Sequence, residues 1–299
     1  MSRQVTVFQV DAFTRQLFAG NPAGVVLGAE VLTDAEMQAV ARELNNTDTA
    51  FVLPGDGSDH DLRLRFFSPH TESGFVGHAT VAAHVARLAA GVGTPGTVRQ
   101  KTTTGLYEVE VAGGDTPVVS VSYQAPQLLA PIGERERSML LDALGLSSVA
   151  LDARCPLTVA RRTSTRLLIG LREPEALAAL HPDPEALKRL SAHLGADAYF
   201  AFVRDAHGPG TTAARLFCPH FGRLEDPVSG NAHGMLGAYL VAHGLLPVRA
   251  GRASFRGRQG DSLGRPGELE VEIEGESGHP RRVRINGTAR IVYQATLTL

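Results

Sequence analysis

The sequence predicts an α+β protein of two similar domains, each a mixed sheet wrapped around a central helix, related by a pseudo-twofold duplication. The first observation is an internal repeat, in which residues 65–70 (RFFSPH) return as residues 215–220 (RLFCPH), an offset of 150. The second is that residues 77–79 (GHA) return as residues 230–232 (GNA) at the start of an apolar stretch. No Gly-x-Gly-x-x-Gly follows a strand and no Walker lysine is present, which argues against a nucleotide-binding Rossmann unit.

Alternating apolar residues, turn residues and capping signals divide the first half into its elements. Thr33 and Glu36 form a capping box, in which each side chain satisfies a backbone amide at the start of a helix that runs to about Leu44. The apolar stretch 78–90 predicts a second, buried helix. The predicted strands are 5–13, 25–27, 49–53, 62–67, 98–103, 106–111 and 118–123, with turns at 21–24 and 55–59.

The second half repeats this plan, with a buried helix at about 231–243 that Gly244 closes. The other predicted helices are 134–144, 174–180 and 184–194, and the predicted strands are 157–160, 166–170, 199–203, 214–218, 254–258, 269–274 and 283–299. Pro126 and Pro131 flank a segment in which no strand is predicted. We therefore predict domains 1–125 and 126–299, with the last strand allowed to cross to the first domain.

The composition excludes several classes of protein. With 43% hydrophobic residues, 20% charged residues and a net charge of −2, the chain has ample core material but no basic stripe for nucleic acid. No apolar run approaches the roughly 18 residues of a membrane helix, and no signal peptide is recognised, so we expect no membrane contact and a cytoplasmic location. Cys155 and Cys218 are too few for a disulfide framework or a zinc site, and we expect both to be reduced and buried.

Each repeated loop ends in a glycine at the amino end of a buried helix. Helix starts offer unpaired amides and a positive dipole end, and glycine lets a ligand approach the backbone. Duplicated halves usually form a cleft, and two helix starts facing it would clamp a small carboxylate; capping and tight helix packing alone account for the loops equally well. The candidate anion-binding residues are Asn21, Gly77, Ala79, Ser229, Gly230 and Asn231.

Three side chains able to move protons fall in or near the same loops: Asp48, His78 and Asp226. Burial among apolar neighbours favours a carboxyl group that holds its proton, which suits general acid/base work near neutral pH. Each residue alone would fit a turn or a cap, and only their joint placement indicates catalysis. Asp197 is the repeat partner of Asp48 and a rival carboxylate, although it lies in a plausible turn. No histidine spacing predicts a metal site.

Taken together, the motifs resemble the PhzF-like phenazine-biosynthesis proteins, whose fold is that of diaminopimelate epimerase. The resemblance runs end to end and rests on residues 11–13, 20–23, 37–38, 41–51, 67–69, 77–80, 225–232, 259–260 and 264–266. It implies a homodimeric isomerase without a cofactor, in which a carboxylate moves a proton on a conjugated or cyclic acid in a biosynthetic process. Asp48 matches the family's proton carrier, His78 its substrate-contacting histidine, and Asp226 its carboxylate in the second half.

Two departures from the family pattern indicate a different substrate. Asp48 replaces the glutamate of an Asn-x-Ser-Glu-Thr motif, and a loss of about 1 Å in reach can cost on the order of 10²-fold in rate. Asn231 stands where many members have serine. A small-carboxylate binding protein that has lost turnover is therefore the alternative. A racemase with two opposed thiols is not expected, because neither cysteine lies at the paired loops.

Overall fold

The computed structural model describes residues 2–299. The helices of this part of the chain are α1 (Asp34–Leu44), α2 (Gly77–Ala89), α3 (Glu134–Leu144), α4 (Pro174–Ala178), α5 (Pro184–Leu194) and α6 (Gly230–Ala242). The strands are β1 (Gln4–Ala12), β2 (Asn21–Leu27), β3 (Asp48–Pro54), β4 (Leu62–Phe67), β5 (Glu72–Ser73), β6 (Gly96–Thr102), β7 (Gly105–Ala112), β8 (Val118–Gln124), β9 (Gln127–Pro131), β10 (Thr158–Arg161), β11 (Thr165–Leu171), β12 (Ala198–Arg204), β13 (Thr211–Phe217), β14 (Glu225–Asp226), β15 (Arg252–Gln259), β16 (Gly267–Glu276), β17 (His279–Gly287) and β18 (Ala289–Thr298).

The chain divides into two compact units. The first unit holds the residues up to Tyr123 together with Ile285–Leu299, and the second holds Gln124–Arg284. Across residues 2–299, the search for a helix with the length and apolar character of a membrane span finds none.

The first unit is a mixed sheet. Its strand β1 pairs antiparallel with both β18 and β2, and β2 runs parallel to β3. Strand β4 then pairs antiparallel with β3 and with the short β5, and parallel with β6. Strand β7 pairs antiparallel with β6 and β8.

The second unit repeats the central part of this order. Strand β11 runs parallel to β12, β13 pairs antiparallel with β12 and with the short β14, and β13 runs parallel to β15. Strand β16 pairs antiparallel with β15, as β7 does with β6. Each unit therefore has the predicted mixed sheet.

One helix is the centre of each unit. Helix α2 packs against β1, β2, β3 and β18, and every residue from His78 to Ala86 is buried. In α6, eleven of the thirteen residues are buried, and the helix contacts β10, β15 and β16. Such helices are apolar all round because a sheet wraps them. The α1 capping box is also present, with Glu36 N–H donating to the Thr33 hydroxyl at 3.3 Å.

An arginine clamp holds the short strand of each unit in register. In the first unit, the Arg65 guanidinium donates twice to Glu72, both times at 2.8 Å, and lies over the Phe67 ring. In the second, Arg215 donates to Glu225 at 3.0 and 2.8 Å and lies over Phe217. Bidentate pairing fixes both distance and orientation, so two residues suffice to define each short strand.

The two central helices pack differently against equivalent strand positions. In the first unit, Gln100 Nε2 donates to the Thr80 hydroxyl at 3.4 Å, and Gln100 Oε1 lies 3.0 Å from His84 Nε2. At the equivalent places of the second unit, a methyl group added to Gly257 would lie 2.1 Å from the His233 ring. The first unit has the smaller residue on the helix (Thr80) and the larger one on the strand (Gln100). The second unit has the larger residue on the helix (His233) and glycine on the strand (Gly257), so the packed volume stays similar.

Three predicted boundaries were wrong. Residues 21–24 lie inside β2 and not in a turn; Pro22 is tolerated because parallel pairing with β3 begins only at Ala23. Segment 124–131 contains β9, which pairs with β10, and Pro131 ends it. The predicted strand 283–299 is two strands, β17 and β18. The chain passes close to the Phe13 ring at Gly287, where a Cβ atom would lie only 2.6 Å from the ring, so a residue without a side chain is needed there.

We expect the free energy of unfolding to fall as the pH drops from about 6.5 to about 4.5. Burial lowers the pKa of His84 to about 4 and that of His233 to about 4, so the unfolded chain takes up protons that the folded chain refuses. Each histidine should remove about 2 kcal/mol of stability at pH 5. Urea unfolding at a series of pH values measures this slope.

The carboxylates act in a lower window. Burial would raise the pKa of Asp152, but hydrogen bonds from Arg154 outweigh it and hold the pKa at about 2. The contribution of Asp152 to stability is therefore lost only as the pH falls from about 4, the ordinary pKa of an aspartate, toward 2.

His84→Gln should reduce the dependence of the unfolding free energy on pH between pH 6.5 and 4.5, whereas His70→Gln, an exposed control, should leave it unchanged. A flat profile for the native protein in this window would contradict the burial argument.

Candidate active site

Asp48 is the first residue of β3 and is placed by the connection from α1. The helix ends at Asn45 in the left-handed conformation (φ 51°), which turns the chain back toward the sheet. The next residue, Asn46, exchanges two amide hydrogen bonds with Gln9 of β1, at 2.9 and 2.8 Å. Asp48 then pairs in register with Ala23 of β2, so its position is defined from two sides.

The Asp48 carboxylate is buried, with 5% of the residue exposed. The Ser73 hydroxyl of β5 donates to Asp48 Oδ1 at 2.9 Å. This hydrogen bond joins two strands that do not pair with each other, because β4 lies between them. A buried carboxylate oriented by a hydroxyl is suited to take and return a proton.

His78 lies on the first turn of α2 and is connected to Asp48 through the neighbouring residue. Its Nε2 lies 3.0 Å from the hydroxyl of Thr47, the residue that precedes Asp48. The same hydroxyl donates to Asn21 Oδ1 at 3.2 Å, with Pro22 O at 3.3 Å. The structure therefore brings Asn21 and His78 together through the hydroxyl of Thr47, the residue that precedes Asp48.

The start of α2, which carries His78, has no side-chain cap. Its N-cap residue, Val76, has no side chain able to accept from the amides of the first turn, and Gly77 and Ala79 follow directly. Space around Gly77 is open, since only the Phe75 ring comes within 4 Å of where its Cβ would lie. The first-unit site thus combines a helix start with a carboxylate and an imidazole.

Asp226 lies on β14 in the second unit, at the head of the loop that leads into α6. The buried side chain of Gln259 clamps this loop, because it donates to Asp226 O at 2.7 Å and accepts from Ser229 N–H at 3.2 Å. The Ser229 hydroxyl caps α6 by accepting from Ala232 N–H at 3.2 Å. Gly260 is needed because a Cβ there would lie 2.9 Å from Pro227 O.

Two arginines near this loop were not among the predicted site residues. Arg223 Nη1 lies 3.8 Å from Asp226 Oδ1, and the largely buried Arg166 donates to the Ser164 hydroxyl. Asn231 Nδ2 also donates to Ser164, at 3.2 Å. Arg223 lies only three residues before Asp226 in the sequence, whereas the contact of Arg166 with Ser164, which also binds Asn231, could not be seen before the chain was folded.

Asp197, the rival carboxylate, has a different set of partners. Its Oδ2 accepts from the backbone N–H of Thr165 at 2.8 Å, and its own N–H donates to the Thr165 hydroxyl at 3.1 Å. These bonds tie the start of β12 to that of β11. The predicted equivalence of Asp197 with Asp48 was wrong: Thr49 pairs with Phe67 as Tyr199 pairs with Phe217, so the structural equivalent of Asp48 is Ala198. Asp197 joins two strands of the second unit.

The first unit also has a groove of about 350 Å³ that contains none of the predicted site residues. Its charged side chains pair with one another: Arg63 with Asp56 at 2.9 Å, and Arg65 with Glu72 at 2.8 Å. Residues 2–299 contain no group of three or more His, Cys, Asp or Glu side chains arranged to hold a metal ion.

Comparison with known proteins identifies relatives along almost the whole chain. The profile of the family described as phenazine biosynthesis-like protein matches residues 10–295. The uncharacterized isomerase YddE of Escherichia coli (strain K12) is 38% identical over 292 residues, 97% of each chain. The trans-2,3-dihydro-3-hydroxyanthranilate isomerase of Pseudomonas fluorescens is 31% identical over 296 residues, 97% of this chain and 98% of that protein. A solved PhzF-family phenazine biosynthesis protein from Bacillus anthracis superposes with a TM-score of 0.89 at 24% identity, covering 99% and 100% of the two chains.

The fold is that of the PhzF proteins, and the relatives are named as isomerases, so the protein is an enzyme of the isomerase class. The chain belongs to the phenazine biosynthesis-like protein family. The predicted resemblance and the predicted fold class are both confirmed.

We expect neither cysteine to react in the folded protein. Burial raises the pKa of Cys155 to about 11 and that of Cys218 to about 12, so at pH 8 only about one molecule in 10³ to 10⁴ carries a thiolate. Iodoacetamide should leave both thiols unmodified by mass spectrometry until denaturant is added. Rapid modification of either cysteine in the folded protein would contradict this expectation and would reopen a thiol mechanism.

Proposed function

We propose that this isomerase moves a proton on a small conjugated or cyclic carboxylic acid, without a cofactor, and that Asp48 is its general acid/base. The observation that carries the proposal is the buried Asp48 carboxylate, which accepts a hydrogen bond from Ser73, together with the amino end of α2 in the same unit, which has no side-chain cap. Burial keeps water from competing for the proton, and the helix start attracts the carboxylate of a substrate.

In this proposal His78 orients the substrate and assists the proton transfer. The Thr47 hydroxyl carries a single proton, and both Asn21 Oδ1 and Pro22 O can only accept it. Thr47 is then left to accept from His78 Nε2–H, 3.0 Å away. The imidazole is thereby held in one tautomer, with its ring direction set by the protein.

In the same proposal Asp226 and the start of α6 bind and orient the acid from the second unit. The positive charge of Arg223 beside Asp226 and of Arg166 beside Ser164 favours a negatively charged ligand, and Asn231 adds an amide where the family pattern has serine. We propose that this difference changes the substrate. The predicted homodimer, cytoplasmic location and division into two domains are part of the same proposal.

The second candidate is a protein that binds a small carboxylate with the same residues but turns it over slowly or not at all. The shorter side chain of Asp48 favours it, since the family's proton carrier has one more methylene. It differs from the first candidate in one measurable property, which is the exchange of a substrate proton with solvent.

We expect the native protein to incorporate solvent deuterium into an acid from a panel of cyclic and conjugated carboxylates. The panel begins with the trans-2,3-dihydro-3-hydroxyanthranilate for which the Pseudomonas fluorescens relative is named. Asp48→Asn should lower the exchange rate by about 10² to 10⁴, because it removes the group that takes the proton. Mass spectrometry of the recovered acid measures the incorporation.

Glu43→Gln is the control, because it removes an exposed carboxylate of the same unit and should leave exchange unchanged. Full exchange in Asp48→Asn would disprove the role of Asp48. Binding of a panel acid without exchange, followed by a large gain of exchange in Asp48→Glu, would favour the second candidate.

A further inference from the structure

Ser73 is not part of any motif in the sequence, yet its hydroxyl makes the 2.9 Å hydrogen bond to Asp48 Oδ1. It lies on a strand of only two residues, in register with Phe66 of β4. Its neighbour Glu72 is held by both arms of the Arg65 guanidinium, at 2.8 Å each. The serine is therefore fixed by the backbone pairing of β5 and by a bidentate ion pair.

The duplication shows what else this position can hold. The equivalent of Glu72 is Glu225, which Arg215 binds in the same way, so the equivalent of Ser73 is Asp226. In the first unit the carboxylate of Asp48 lies at the start of the long strand β3, and the hydroxyl of Ser73 lies on the short strand β5. In the second unit the short strand carries a carboxylate of the proposed site.

We infer that Ser73 is the positioning residue for Asp48, and that its hydroxyl compensates for the short aspartate side chain. A hydroxyl that donates to Oδ1 limits rotation of the carboxylate and sets the direction of Oδ2. A hydrogen bond to the charged form also stabilises it, which makes the group a weaker base but a better-placed one. This inference rests on the proposed role of Asp48 as general acid/base.

The first test needs no substrate. Aspartate labelled with ¹³C at the carboxyl carbon is titrated by NMR, and the Asp48 signal is assigned by its loss in Asp48→Asn. Ser73→Ala should raise the midpoint of the Asp48 titration by about one pH unit, because the charged form loses a donor. Ser73→Thr, which keeps the hydroxyl, should restore the native midpoint.

Ser68→Ala is the matched control, since this hydroxyl lies in the same connection but bonds only the backbone of residues 70 and 71. Two titratable groups follow from the contacts of the neighbouring residues: His78, which is reached through Thr47, and Glu72, which is paired with Arg65. None of the three serine substitutions removes them, so a shifted midpoint reports the lost hydroxyl.

The second test uses the solvent exchange of trans-2,3-dihydro-3-hydroxyanthranilate, and of the other panel acids if that acid does not exchange. Ser73→Ala should lower kcat about tenfold with little change in KM and move the acid limb of the pH profile upward, while Ser73→Thr restores both. A structural role alone would alter stability and leave the pH profile in place.

The role of Ser73 and the proposed role of Asp48 fail through different experimental outcomes. Exchange that persists in Asp48→Asn overturns the proposed function, and the role of Ser73 with it. Exchange that is lost in Asp48→Asn but is native in Ser73→Ala, with an unmoved titration midpoint, overturns the role of Ser73 alone.

Discussion

The bidentate ion pair between an arginine of the long strand and a glutamate of the short strand is the interaction on which both sites depend. Arg65 with Glu72, and Arg215 with Glu225, define strands of two residues that could not hold their register by backbone pairing alone. Each clamp lies beside an aromatic ring that shields it from water, which strengthens the pair. The residue after each glutamate, Ser73 or Asp226, is thereby placed at the mouth of the loop that leads to the central helix.

The duplicated scaffold supports two different sets of side chains. At the head of the long strand the first unit has Asp48, which is held by a hydroxyl, and the second unit has Ala198. Asp197, one residue earlier, is engaged by the backbone of Thr165. The helix start carries His78 in one unit and Asn231 in the other. The first unit thus carries a carboxylate and an imidazole, and the second carries a carboxylate 3.8 Å from an arginine. In the proposed function the first carboxylate moves the proton, and the second binds and orients the acid.

The sequence predicted the features that depend on local pattern: the repeat, the α1 capping box, and the two apolar central helices. It missed features that depend on register or on a close approach. Two-residue strands have no periodicity, so the contact of Ser73 with Asp48 was invisible before the strands were paired. Pro22 and Gly24 suggested a turn because both residues usually mark one, yet they lie in β2. The break before β18 results from the Phe13 ring, which lies far away in sequence.

The central claim is that Asp48 is the proton carrier of the first unit, and that Asp197, the rival carboxylate of the second unit, serves only to join two strands. Measuring solvent-deuterium exchange in Asp48→Asn and Asp197→Asn, side by side with urea unfolding of both, tests it most directly. The account predicts that exchange is lost in the first variant, by about 10² or more, and retained in the second, which instead loses about 1 kcal/mol of stability. Exchange retained in Asp48→Asn and lost in a folded Asp197→Asn would contradict it.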